Sequence, residues 1–116
     1  MTTNDIEPSK AHQLVDAVDY LSDSVVIRSI IEKKTGTVSL SSFDTGQKLA
    51  TKISPFDRLI QVIDGTAEVV IDGHATLLET GQLMIIPAHS SNSIKAHVRF
   101  KILSTIIKSG YEDISV

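Results

Sequence analysis

RLIQVIDGTAEVVIDGHATLLETGQL, residues 58–83, decides the fold. Asp64-Gly65, Asp72-Gly73 and Thr80-Gly81 punctuate it every eight residues, and the runs before them, RLIQVI, TAEVVI and HATLLE, are each six residues long. Branching at Cβ stiffens Val, Ile and Thr and suits them to a pleated sheet better than to a helix. Asp-Gly favours a type I′ hairpin, because both central residues of that turn need positive φ. The stretch therefore predicts short strands joined by tight turns.

The same grammar continues on both sides. VVIRSIIEKK, TVSLSSF and KLATKI precede the stretch, QLMIIP, SNSIKA and RFKILSTIIK follow it, and Thr35-Gly36 and Thr45-Gly46 mark earlier turns. Many short strands with regular turns predict an all-β sandwich or barrel. Upstream, HQLVDAVDYLSDS places Leu14, Val15, Val18 and Leu21 at intervals that suit either a short helix or a strand and turn. The expected organisation is an N-terminal extension over 1–23, one barrel domain over 24–110 and a tail over 111–116.

Composition narrows the function. A chain of 116 residues builds one core. Its net charge of -3 gives no broad basic surface for a phosphate backbone, so nucleic acid is not expected as a partner. The absence of cysteine removes disulfides and thiolate chemistry. Neither a signal peptide nor a membrane-length apolar run is visible, so the expectation is a soluble, cytoplasmic protein with no membrane partner. There is no G-x-S-x-G elbow, H-E-x-x-H pair or phosphate-cradling glycine loop. Phe43, Phe56 and Phe100 are too few for a base-stacking platform and are expected to fill the core.

Two segments, GQKLATKISPFDRLIQVIDG and GQLMIIPAHSSNSIKA, resemble the paired motifs of the small single-domain cupins, G-x5-H-x-H-x3-E-x6-G and G-x5-P-x-G-x2-H-x3-N. The resemblance implies a double-stranded β-helix, or jelly-roll, barrel. Gly46, Gly65, Gly81 and Pro87 match the backbone positions of the motifs. The chemical positions differ: the first motif's His, His and Glu fall on Lys52, Ser54 and Arg58, and the second motif's Gly, His and Asn fall on His89, Asn92 and Ala96. Family members often hold a metal there, but Lys and Arg have no lone pair to offer and would repel a cation. The expectation is therefore a barrel with no metal and no cofactor.

The remaining histidines show no ligand spacing. His12 lies in the N-terminal extension, His74 follows a turn, and His97 is an odd number of residues from Asn92, which points it to the opposite face of a regular strand. The candidate ligand-binding set is Lys52, Ser54, Arg58, His89 and Asn92, whose donors suit a carboxylate or phosphate. Three functions stay open: binding of a small, possibly anionic molecule; a metal-independent isomerase or lyase using Lys52 or His89; and a structural scaffold acting as a dimer. A homodimer is expected in any case, since VVIRSIIEKK and TVSLSSF carry more apolar residues than one small barrel buries.

Overall fold

A computed structural model describes residues 6–51 and 53–110 of the chain. Among the described residues, eight strands follow a single 3-10 turn at Leu14–Asp16: β1 Val25–Lys33, β2 Gly36–Phe43, β3 Lys48–Thr51, β4 Arg58–Ile71, β5 His74–Glu79, β6 Leu83–Ile86, β7 Asn92–Lys95 and β8 Phe100–Ile107. They form two antiparallel layers that share β4. Sheet A runs β1-β2-β8-β4-β6 and sheet B runs β3-β7-β4-β5. This is the all-β class that the strand and turn pattern predicts, in the jelly-roll barrel form that the cupin resemblance implies.

The long β4 corrects one sequence expectation. Asp64-Gly65 is not a hairpin turn but a bend inside one strand, where the β4–β8 register slips between Val62 and Asp64. Before the bend β4 pairs with β6 and β8 in sheet A, and beyond it β4 pairs with β5 and β7 in sheet B. A bulge of this kind strengthens local twist and lets one strand turn a barrel corner. Gly65 is required there, since its φ is +80° and a Cβ would stand 3.0 Å from Phe100 Cα and closer still to the Arg99 carbonyl oxygen. Asp72 and Gly73, with φ of 48° and 86°, form the tight turn predicted between β4 and β5.

Period-2 alternation assigns the faces. Phe100, Ile102 and Ser104 of β8 point inward, opposite Phe43, Ser41 and Ser39 of β2, while Ile60 and Val62 of β4 join them in the core. Phe43 and Phe100 stack at the centre with ring centroids 4.5 Å apart. Phe56 departs from expectation, because it lies in the half-buried connection before β4 rather than in the core.

Among the described residues, the N-terminal segment forms neither a regular helix nor a strand beyond the 3-10 turn. It is strapped over part of the outer face of sheet A by side chains reaching up from the strands. Arg28 donates to the Ala17 carbonyl, Lys101 to the Val15 carbonyl, and Ser42 Oγ to the Asp19 carbonyl at 2.7 Å. The Tyr20 hydroxyl donates to Asp64 at 2.6 Å, and its ring lies 4.4 Å from the Arg99 guanidinium and 4.8 Å from the Lys101 ammonium. Burial first, and then the Asp64 contact, raise the Tyr20 pKa well above the usual phenol value. Among the described residues, no helix is long and apolar enough to cross a membrane.

Candidate functional site

One end of the barrel closes where the β3–β4 connection meets the β6–β7 loop. The His89 amide donates to the Ser54 carbonyl at 2.7 Å, and the Ala88 amide donates to Asp57 Oδ1 at 2.7 Å. Beneath these ties lies a cavity of about 40 Å³ lined by Ser54, Phe56, Arg58, Ser90 and Asn92, with Ile86, Pro87 and Ile106 as its apolar wall. That volume accommodates a few waters or a small ion.

Arg58 opens β4 with its side chain on the inward face, in register with Ile86 on one neighbour and Ile106 on the other. Two aliphatic flanks dehydrate the guanidinium, and this burial lowers its pKa. It remains a cation at neutral pH. Its Nη2 is buried without a hydrogen-bond partner among the described residues, and so is Asn92 Oδ1. Asn92 begins β7, where pairing with Thr51 and with Ile71 fixes its backbone. Ser54 Oγ accepts from the Phe56 amide at 3.1 Å, and Ser90 Oγ donates to the Pro87 carbonyl at 2.7 Å.

Three of the five sequence candidates, Ser54, Arg58 and Asn92, therefore meet at one cavity. His89 is placed differently. Its backbone helps close the mouth, with φ of 64°, but its side chain is exposed and does not line the cavity. The positive φ explains why the resembled motif has glycine at this position. Lys52 lies outside the described residues. Ser90 and Phe56 were missed as lining residues; nothing in the sequence distinguishes them from ordinary loop residues.

The set does not fit the metal that cupin barrels often hold. A guanidinium has no lone pair and repels cations, while the Ser54 hydroxyl and Asn92 amide are neutral oxygen donors. No three His, Asp or Glu side chains are grouped to hold a metal among the described residues. His97 Nε2 meets Glu68 at 2.9 Å in an exposed pair, and His12 Nε2 contacts the Glu7 carbonyl at 3.1 Å.

No family model matches the chain, and no curated protein does. Solved structures do match it. A conserved protein of unknown function from Streptococcus pyogenes is 27% identical, with 90% of this chain and 92% of that one covered at a TM-score of 0.85. A cupin superfamily protein from Desulfitobacterium hafniense is 21% identical, with coverage of 90% and 95% at a TM-score of 0.82. A cupin 2 conserved barrel domain protein from Leptotrichia buccalis is 25% identical at a TM-score of 0.78, with 82% of this chain covering 46% of that protein. The chain is thus a small barrel of the cupin fold in which Ser54, Arg58 and Asn92 stand where the motifs carry metal ligands.

Proposed function

We propose that this cupin barrel binds a small carboxylate or similar oxyanion at its mouth, with Arg58 as the charge that holds it. The observation that carries the reading is the buried Arg58 Nη2, which has no hydrogen-bond partner among the described residues. An unpaired buried donor on a cation is costly, and an anion relieves that cost with charge-assisted hydrogen bonds. A guanidinium presents its donors in a plane, which matches a planar carboxylate better than a neutral molecule. Turning the Asn92 amide exchanges its acceptor oxygen for donor hydrogens, so this side chain can add a second contact to an anion. Ser54, whose Oγ accepts from the Phe56 amide, keeps its own hydroxyl proton to donate at the same cavity. The volume of about 40 Å³ favours formate, acetate or nitrate over bulky phosphate esters. Lys52 belongs to the proposal through its sequence position alone.

Titration calorimetry with formate, acetate and nitrate, set against formamide and acetamide as neutral counterparts, tests the reading. Saturable binding of at least one anion, with no response to the amides, is expected. Equal responses to both classes, or to neither, would overturn it.

A further inference from the structure

Resting on the anion site described above, we propose that the anion taken at the barrel mouth carries its own hydroxyl, and that bicarbonate is the ion of this class that the cavity fits. Among the described residues, two buried side-chain polar atoms lack a hydrogen-bond partner, Arg58 Nη2 and Asn92 Oδ1. Both residues line the one cavity of about 40 Å³, although Arg58 opens β4 in sheet A and Asn92 opens β7 in sheet B. One atom is a donor and the other an acceptor, and they do not satisfy each other. A group that joins them must accept from Arg58 and donate to Asn92. Acetate, formate and nitrate only accept, so each leaves the amide oxygen unpaired or forces the amide to turn.

Charge favours the amide oxygen as the end that faces the cavity. Turning Asn92 brings its N–H hydrogens toward a site that already holds a guanidinium, whereas the orientation in the structure sets the negative end of the amide dipole there. The neighbours complete a mixed set. Ser54 Oγ accepts from the Phe56 amide and keeps its proton to donate, while Ser90 donates its proton to the Pro87 carbonyl at 2.7 Å and so offers the cavity oxygen alone. The two donors, Arg58 and Ser54, match the two unprotonated oxygens of bicarbonate, and the Asn92 oxygen matches its hydroxyl. Water also accepts and donates, but only the anion neutralises the dehydrated guanidinium. Hydrogen phosphate carries a hydroxyl too, yet it is tetrahedral and bulkier, and both the small cavity and the planar guanidinium favour the planar ion. Acetate has a methyl where bicarbonate has that hydroxyl, at equal charge and nearly equal shape. A site whose buried acceptor pairs with a ligand hydroxyl discriminates strongly against the analogue that lacks it.

Titration calorimetry in sealed cells at about pH 8, where carboxylates are fully ionised, compares bicarbonate with acetate and nitrate on wild-type protein and on Asn92→Leu. The wild type is expected to bind bicarbonate about tenfold or more tightly than acetate or nitrate. Asn92→Leu keeps a similar shape and removes the acceptor, so its preference for bicarbonate over acetate should vanish or reverse while its circular dichroism spectrum stays that of the wild type. Acetate or nitrate binding the wild type as tightly as bicarbonate would overturn the inference and leave the anion site standing. So would a bicarbonate preference undiminished in Asn92→Leu. No binding of any of the three ions would overturn both. Should Asn92→Leu fail to fold, the wild-type preference decides.

Discussion

The His89 amide donates to the Ser54 carbonyl at 2.7 Å, and this bond holds His89 in a left-handed backbone conformation with φ of 64°. A side chain pays no penalty there only if it is absent, because Cβ crowds the carbonyl oxygen. His89→Gly should therefore stabilise the fold by about 0.5–1 kcal/mol, the gain from relieved strain exceeding the added freedom of the unfolded chain. His89→Ala, which keeps Cβ, should give no such gain. Urea unfolding of the three proteins checks the order.

Gly65 carries the opposite expectation. Its φ of +80° and the approach of Phe100 Cα to 3.0 Å from an added Cβ leave only backbone to move. Gly65→Ala should destabilise by about 3 kcal/mol or more, since strain and a backbone clash act together. Gly73→Ala, with φ of +86° and open space around the added Cβ, should cost less. Thermal melts of the two variants separate a steric cost from a purely conformational one.

Asp44 couples stability to acid. Its carboxylate accepts from the Asp23 amide at 2.8 Å and from Arg99 at 3.0 Å, and these donors, the amide first, lower its pKa. A depressed folded-state pKa adds stability above the unfolded value of about 3.9 and loses it as pH falls through the folded value. The melting temperature of the wild type should exceed that of Asp44→Asn at pH 6, and the gap should narrow below about pH 4. A gap that is constant across this range would contradict the assignment.

Much of the fold was legible because strand periodicity and turn chemistry are local. Asp72-Gly73 turned where its residues favour positive φ, and the cupin-like spacing placed Ser54, Arg58 and Asn92 at one cavity. Asp64-Gly65 misled for a physical reason: the dipeptide supplies positive φ equally well to a hairpin and to a bulge, and tertiary pairing decides between them. Lys101 was equally opaque. A lysine on the outward face of β8 reads as a solvated charge, yet it is only 7% exposed because the N-terminal strap lies over it. The cavity wall of Phe56 and Ser90 depends on how two loops close, which no period in the sequence encodes.

If Arg58 makes the barrel mouth an anion site, Arg58→Met abolishes that site. The substitution keeps much of the stem's volume and removes the charge. An anion that saturates the wild type at about 100 times its dissociation constant should add roughly 2.7 kcal/mol to the folded state, and the melting temperature should rise accordingly. Arg58→Met should lose that rise while melting, without anion, no lower than the wild type, because it removes a buried and unpaired donor. An anion-dependent rise that persists undiminished in Arg58→Met would contradict the account.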